Sequence, residues 1–108
     1  MRFETVSLFD KQVKKLSKKY NLIKEDLKEF IVDFDNNHKE ATSIKNNLFK
    51  VRVANSNKNK GKRAGYRIYY YIKINDTVHL LTIYDKSQVE SINENTLTEY
   101  INEILSKE

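Results

Sequence analysis

The amino-acid sequence predicts an α+β domain in which two helices, a small β-sheet and a closing helix follow one another along the chain. Apolar residues recur at helical spacing up to residue 34, β-forming runs lie between Leu48 and Tyr84, and helical spacing returns after Thr96. The 108 residues are a common size for one domain and can bury a core without disulfides. We therefore expect a single domain over residues 1–108.

The N-terminal third predicts a short strand followed by an αα-hairpin. Arg2 to Val6 has the composition of a strand, and Ser7 resembles a helix N-cap because Asp10 follows it three residues later. Asn21 separates two apolar stripes, each flanked by charged residues. The stripes comprise Phe9, Val13, Leu16 and Tyr20, then Ile23, Leu27, Phe30, Ile31 and Phe34. Both must be buried against a larger element.

From Asn47 the apolar period changes to two, which is typical of strands. In Leu48–Val53 the apolar side chains alternate with Lys50 and Arg52, as in a half-buried strand. Tyr66–Ile74 and Thr77–Tyr84 are two further β-rich runs, and Asn75-Asp76 between them predicts a hairpin. A capping box of Thr96 and Glu99 then predicts a closing helix. Its apolar stripe is Leu97, Tyr100, Ile101, Ile104 and Leu105.

Positive charge is concentrated in one third of the chain. The formal net charge is +5, but residues 41–75 contain nine basic residues and no acidic one, whereas the other 73 contain 11 basic and 15 acidic residues. Such an excess favours a polyanionic partner, because a solvated face without a partner usually mixes both signs. The alternative is a basic surface that merely maintains solubility. Residues 54–64 are polar and basic, and their composition predicts a flexible loop.

A two-residue turn at Asn75 and Asp76 would determine which hairpin positions face each other. The pairs on one face would be Arg67 with Tyr84, Tyr69 with Thr82, Tyr71 with Leu80 and Lys73 with Val78. The other face would pair Ile68 with Ile83, Tyr70 with Leu81 and Ile72 with His79, and it would carry the helices because it is more apolar. A three-residue turn would shift this register and remove the Arg67–Tyr84 pair.

The first of these faces would combine cations with aromatic rings. It would collect Lys50, Arg52, Arg67, Tyr69, Tyr71, Lys73, Tyr84 and Lys86, with the loop cations Lys58, Lys60, Lys62 and Arg63 beside it. Cations that hold phosphates and rings that stack on bases suit single-stranded RNA. The alternative is that Tyr69 and Tyr71 are ordinary half-buried sheet tyrosines and that Arg67 is a surface cation.

The available side chains restrict the chemistry of such a face. The sequence has no cysteine and two histidines, neither of them near a carboxylate cluster, so we expect no metal site and no cofactor. RNA supplies its own nucleophile, the 2′-hydroxyl, and cleavage then needs a base, an acid and stabilisation of the phosphorane charge. Lysine, arginine and tyrosine can provide these functions.

Three segments resemble a known family: Lys50-Val51-Arg52, Gly65-Tyr66-Arg67 and the run from Leu80 to Lys86. Together with the two preceding helices, they resemble the RelE/HigB branch of the RelE/ParE toxins of bacterial type II toxin–antitoxin systems. The resemblance extends from about Val6 to the C-terminal helix. It implies a RelE-like fold, with a small, mainly antiparallel sheet packed against an N-terminal helical pair.

The resemblance also implies a function. Toxins of this branch enter the ribosomal A site and cleave mRNA, without metal, to leave a 2′,3′-cyclic phosphate, and a cognate antitoxin inhibits them. By position, Lys50 and Arg52 match cations near the scissile phosphate, Arg67 matches the arginine that stabilises the transition state, and Tyr84 and Lys86 match the terminal phosphate-binding motif. The cations Lys58, Lys60, Lys62 and Arg63 match a basic loop that contacts mRNA or rRNA. The terminal motif lacks the histidine of some relatives, which leaves the base and the acid unassigned.

Two alternatives belong to other functional classes. One is an inhibitor of DNA gyrase similar to ParE, which the combination of Lys50, Arg67 and Lys86 disfavours; the other is a non-catalytic RNA-binding module. The sequence begins without an apolar signal block and contains no run long enough for a membrane span, so a cytoplasmic protein that does not contact a membrane is expected.

Overall fold

The computed structural model describes residues 1–73, 76–88 and 93–107, and within them it confirms the predicted α+β class. It shows a five-stranded mixed sheet and four α-helices there, of which the strand at Thr42–Lys45 and the helix at Phe34–Lys39 were not predicted as separate elements. The strands are β1 (Arg2–Thr5), β2 (Thr42–Lys45), β3 (Leu48–Val53), β4 (Tyr66–Lys73) and β5 (Thr77–Asp85). The helices are α1 (Ser7–Ser17), α2 (Ile23–Val32), α3 (Phe34–Lys39) and α4 (Glu94–Ser106), and a 3₁₀ turn covers Lys62–Ala64. The sheet order is β1-β5-β4-β3-β2, in which β1 pairs with β5 in parallel and the other pairs are antiparallel.

The two predicted N-terminal stripes bury themselves against one face of this sheet. Phe9, Leu16, Ile23 and Phe30 are among the helical side chains that pack there. The sheet contributes Val51, Val53, Tyr66, Ile68, Tyr70, Val78, Leu80 and Ile83 to the same cluster. The packing of the N-terminal helices on the face that carries Ile68, Tyr70 and Ile83 is therefore confirmed, but β5 contributes Val78 and Leu80 to this face instead of the predicted His79 and Leu81.

Several element boundaries differ from the prediction. Val6 is the residue that precedes α1, so Ser7 is the first helical residue and does not cap the helix. The second predicted stripe spans two helices, because the chain leaves α2 at Asp33 and starts α3 at Phe34. At the other end, α4 begins at Glu94, and the side chain of Asn93 accepts a hydrogen bond from the Asn95 backbone N–H. The predicted capping box of Thr96 and Glu99 therefore lies inside the helix.

The register of the β4–β5 hairpin is correct in one half and wrong in the other. Arg67 pairs with Tyr84 and Tyr69 with Thr82 as predicted, but a β-bulge at Leu81 shifts the remaining pairs by one residue. These are Tyr70 with Leu80, Tyr71 with His79, Ile72 with Val78 and Lys73 with Thr77. The bulge absorbs the shift, so the Arg67–Tyr84 pair persists although the turn differs from the predicted one. The predicted turn residue Asn75 lies outside the described residues.

Helix α4 covers part of the second face of the sheet. Leu97, Ile101 and Ile104 of α4 pack in one cluster with Leu48, Tyr69, Tyr71 and Leu81. The bulge explains why Leu81 lies here while Leu80 faces the N-terminal helices, and why His79 faces α4 instead of the predicted opposite side. One half of the face that was expected to be open is thus a second hydrophobic core.

Helix α1 protects the edge of β5 beyond the point where β1 ends. The Gln12 side-chain oxygen accepts hydrogen bonds from the Ile83 backbone N–H at 2.9 Å and from the Thr82 hydroxyl at 3.0 Å. An unpaired strand edge can otherwise pair with another chain. Gln12 therefore fixes α1 beside the sheet, with the lysine-bearing surface of the helix directed to solvent.

Candidate nucleic-acid interface

The uncovered half of the second face brings together four of the predicted site residues. The pairing of β3 with β4 places Lys50 opposite Tyr69 and Arg52 opposite Arg67, and the pairing of β4 with β5 places Tyr84 opposite Arg67. Arg52 is exposed, and Lys50 and Tyr84 are partly exposed. The predicted sharing of one face by Lys50, Arg52, Arg67 and Tyr84 is confirmed.

The two sheet tyrosines are not open for base stacking in this conformation. Tyr69 and Tyr71 are 8% and 7% exposed, because α4 packs over them. Burial raises the pKa of Tyr69, and the nearby Lys50 only partly offsets this effect. The Lys50 ammonium lies 5.6 Å from the centre of the Tyr69 ring, a cation–π distance. The expectation of an exposed aromatic platform at Tyr69 and Tyr71 is therefore wrong while α4 is docked.

Arg67 is a buried residue and not a surface cation. It is 4% exposed, and its guanidinium donates to three backbone carbonyls: Lys62 at 3.1 Å, Tyr66 at 3.2 Å and Arg63 at 2.9 Å. Burial and the neighbouring Arg52 lower the pKa of Arg67. Two of these three hydrogen bonds go to the 3₁₀ turn, at Lys62 and Arg63, so Arg67 positions the end of the basic loop against the sheet.

Asp85 anchors the same loop from the end of β5. Its side chain is fully buried and accepts hydrogen bonds from Lys58 Nζ at 2.5 Å, Asn55 Nδ2 at 3.1 Å, and the backbone and hydroxyl of Ser87 at 2.9 and 2.5 Å. Burial by itself would raise the pKa of Asp85, but the hydrogen bonds from Lys58, Ser87 and Asn55 outweigh it and hold this pKa below its usual value. Asp85 is thus a buried carboxylate that organises the loop.

The cations that were predicted to bind RNA lie in different environments. Lys58 neutralises Asp85 and also donates to the Ala64 carbonyl at 3.1 Å, so it is a structural residue and not a free loop cation. Lys62 pairs with Glu40 at 2.7 Å on the surface. Lys73 is half-buried at the other end of β4, where it approaches the Ile104 carbonyl of α4 at 3.5 Å.

The two remaining loop cations, together with Lys86, line an open depression at the end of the sheet. Lys60, Arg63 and Lys86 are exposed and line this depression, whose volume is about 570 Å³, together with Lys58, Ala64 and Ser87. The Lys86 backbone N–H donates to the Gly65 carbonyl at 3.0 Å, which extends the pairing of β4 and β5 to this point. We use the name basic cleft for this depression, with Lys60, Arg63 and Lys86, together with Arg52, Tyr84 and Lys50 on the sheet face that carries Arg67. Lys50 and Arg52 line a separate small pocket with Lys62 and Glu40.

Gly65 allows the loop to approach β3 closely. A Cβ atom at this position would lie 2.0 Å from the Val53 carbonyl oxygen and 2.9 Å from the Ala54 Cα. Both are backbone atoms, which cannot rotate away as the end of a side chain could. The absence of a side chain at Gly65 is therefore a requirement of the basic cleft.

A larger cavity, of about 770 Å³, lies between α2 and the start of the loop. Its lining includes Glu25, Glu29 and Asp33, and the carboxylate of Asp26, which accepts hydrogen bonds from the Ser56 backbone and hydroxyl. This concentration of negative charge would repel a nucleic acid. Charge therefore makes the smaller basic cleft, and not the larger cavity, the candidate for a nucleic-acid interface.

The two histidines have contacts within the fold. His38 Nδ1 lies 2.6 Å from the Tyr70 hydroxyl, and the His38 ring contacts Phe34 and Phe49. His79 is buried beside Tyr71, and burial lowers its pKa. Within residues 1–73, 76–88 and 93–107, no three His, Asp or Glu side chains form a group that could hold a metal ion.

The anchoring role of Asp85 and Asn55 was missed by the sequence reasoning. One signal was present: Asp85 is an acidic residue that directly follows the apolar strand run and precedes a lysine. No protein-family model matches the sequence, and comparison with curated proteins finds no significant match. None of the helices in the described part of the chain is long and apolar enough to cross a membrane.

Proposed function

We propose that this protein is the toxin of a bacterial type II toxin–antitoxin system and acts as a ribosome-dependent mRNA endoribonuclease with a RelE-like arrangement. The observation that carries the proposal is the basic cleft: Lys50, Arg52 and Tyr84 share one sheet face, and Lys60, Arg63 and Lys86 line the depression at the end of the sheet. These residues include the positions at which the sequence resembles the RelE/HigB toxins. A cytoplasmic location follows from this function, since ribosomes and mRNA are the partners.

The chemistry of the cleft fits cleavage by the RNA 2′-hydroxyl. Lysine and arginine side chains on two sides can neutralise the scissile phosphate and the charge that develops on it. Lys50, Lys86 and Tyr84 are the candidates for proton transfer, since each has an exposed or partly exposed group that can donate or accept a proton. No metal or cofactor has a role in this scheme.

Because Arg67 is buried, it contributes to the proposed cleavage through its charge and through the loop that it holds. Its guanidinium holds the turn that carries Arg63, and its positive charge lies beside Arg52 and Tyr84. A charge in a poorly hydrated position acts more strongly on a nearby phosphate than one in water. Arg67 therefore supports the transition state through its charge and through the position of the loop.

In the proposed function, Tyr69 and Tyr71 contribute less to base stacking than they would on a sheet face that no helix covers. Both rings lie beneath α4, so base stacking on them requires that helix to move away. Tyr84 is the aromatic residue of the cleft that is partly exposed while α4 stays docked. Tyr84 is accordingly the ring that we assign to the first contact with a base.

The proposed inhibitor is a cognate antitoxin. The positive charge of residues 41–75 would attract an acidic antitoxin segment and increase its association rate. Covering Arg52, Arg63 and Lys86 would exclude RNA from the basic cleft.

Primer extension on a translated mRNA, with purified ribosomes and protein, tests the proposed activity. We expect cuts within codons only when ribosomes are present, and a loss of at least tenfold in rate in the variant Arg52→Ala and in the variant Lys86→Ala. Both side chains are exposed, so neither change should affect folding. Lys39→Ala, an exposed lysine on α3, is the matched control and should cut normally.

Intact mRNA at doses of protein that arrest translation would refute the nuclease. RNA binding without cleavage is the alternative that one observation favours, because the guanidinium of Arg67 is occupied by backbone carbonyls. DNA damage with intact mRNA would instead indicate inhibition of DNA gyrase.

A further inference from the structure

Helix α1 carries a row of lysines that the proposed cleavage does not use. Lys11, Lys14, Lys15 and Lys18 follow the spacing i, i+3, i+4, i+7, so they share one face of the helix, and Lys19 extends the row. All five side chains are exposed. Within residues 1–73, 76–88 and 93–107, no carboxylate forms a salt bridge with any of them. The row is about 10 Å long from Lys11 to Lys18.

The helix dipole favours Lys14 and Lys15, which lie in the last turn of α1, but the lysines of the row also repel one another. Like charges at i, i+4 repel each other, and a helix face that only needs to be soluble usually alternates lysine with glutamate. The neighbouring α2 follows that usual pattern, since it carries Lys24 and Lys28 with Glu25 and Glu29. The contrast between two adjacent helices indicates that the face of α1 serves a partner with negative charge.

Tyr20 connects the α1 row to the basic loop. The Lys19 ammonium lies 5.4 Å from the centre of the Tyr20 ring, and the Lys58 ammonium lies 5.5 Å from the same ring. The Asn57 side chain also accepts from the Leu22 backbone N–H at 3.0 Å and donates to the Asn21 side chain at 2.9 Å. The basic loop is therefore fixed to the end of α1, and the lysine row ends beside Lys58 of that loop.

We infer that the lysine row of α1 is a second RNA-binding surface, which holds the phosphate backbone of a duplex RNA while the basic cleft receives a single strand. The aromatic residues of this segment, Phe9 and Tyr20, are 2% and 6% exposed, so the row offers cations without rings for stacking. Cations without stacking rings suit a helical RNA, which proteins recognise by its shape and phosphates. The identity of that duplex as ribosomal RNA rests on the proposed function, but duplex binding does not.

Binding to a blunt RNA duplex of about 20 base pairs, measured at several salt concentrations, tests this inference. We compare the wild type with a fourfold variant, Lys11→Gln, Lys14→Gln, Lys15→Gln and Lys18→Gln. The control is Lys24→Gln, Lys28→Gln, Lys39→Gln and Lys107→Gln, which removes the same charge from other exposed positions. Glutamine is a good helix former, and circular dichroism should show that both variants are folded.

The α1 variant should bind the duplex at least tenfold more weakly than the control at moderate salt. Its plot of log affinity against log salt should be shallower than that of the control by about 3, because each phosphate contact contributes about 0.7–0.9. Equal affinities and slopes for the two variants would overturn the inference, and so would a wild type that does not bind the duplex.

The same variants separate this inference from the proposed function. Duplex binding that depends on α1, in a protein that never cuts mRNA on ribosomes, would retain the inference and refute the nuclease. Cleavage of mRNA on ribosomes, with equal duplex binding by the two variants, would support the nuclease and refute the inference about α1. If both hold, the α1 variant should also cosediment less with ribosomes than the control does.

Discussion

Replacing Asp85 with asparagine should detach the basic loop from the sheet. The change preserves the shape of the side chain but removes the charge that pairs with Lys58. It also replaces one carboxylate oxygen with an NH₂ group, which cannot accept a hydrogen bond and must then face a donor from Asn55, Lys58 or Ser87. A lost hydrogen bond to a charged group costs about 1.5–3 kcal/mol, and an unsatisfied buried donor costs about 1–3 kcal/mol.

We therefore expect Asp85→Asn to lower the free energy of unfolding by about 3–5 kcal/mol, the range for breaking a buried ion pair. The lower end applies here, because the Lys58 side chain is 20% exposed and can recover part of its hydration. Urea denaturation at neutral pH measures the change. Lys39→Gln, which removes an exposed charge that is far from Asp85 in the sequence, should change the stability by less than about 0.5 kcal/mol.

The difference in the free energy of unfolding between the wild type and Asp85→Asn should also depend on pH, which gives a second measurement. The pKa of Asp85 is lower in the folded protein than the value of about 3.9 in an unfolded chain, so the charged carboxylate stabilises the fold. This stabilisation is complete above about pH 5 and is lost as the pH falls through the folded-state pKa. The gap between wild type and Asp85→Asn should therefore close in acid. A gap below about 1 kcal/mol at pH 7, or one that widens in acid, would refute the assignment of Asp85 as the anchor.

Two further changes test the loop and α4. Gly65→Ala places a Cβ against the Val53 carbonyl and should lower the melting temperature and weaken RNA binding together; an unchanged melting temperature would contradict the close approach. Leu97→Ala opens a cavity under α4 and should cost about 2–5 kcal/mol. Amide hydrogen exchange should then speed up in α4 more than in β4, whereas Leu105→Ala, at a side chain that is 44% exposed, should have little effect.

Periodicity predicted those parts of the fold that depend on burial. The stripes of α1 and α2 and the alternation in β3 place their apolar residues on the observed sides, because each period leaves only one face for the core. The positions of Lys50, Arg52, Arg67 and Tyr84 follow from the same alternation.

The features that sequence reasoning missed depend on tertiary contacts. The helix over Tyr69 and Tyr71 results from packing between segments that are distant in the chain, and the bulge at Leu81 inserts one residue that the alternation of a regular strand does not contain. The sequence pattern placed Lys58 among the loop cations and Arg67 on the RNA-facing side of the sheet, but Lys58 pairs with Asp85, and the guanidinium of Arg67 donates to backbone carbonyls. Two of those carbonyls, at Lys62 and Arg63, are brought near by the folded loop. A local pattern contains no information about such partners.

The bulge at Leu81 separates the hairpin into two segments whose registers are independent. Arg67 and Tyr84 belong to the segment beyond the bulge, whereas Lys73 and Thr77 belong to the segment next to the turn. A change of one residue in the length of the turn can therefore be compensated by gaining or losing the bulge, without moving Tyr84 relative to Arg67. The position of Tyr84 beside Arg67 is in this way separated from the register of the pairs next to the turn.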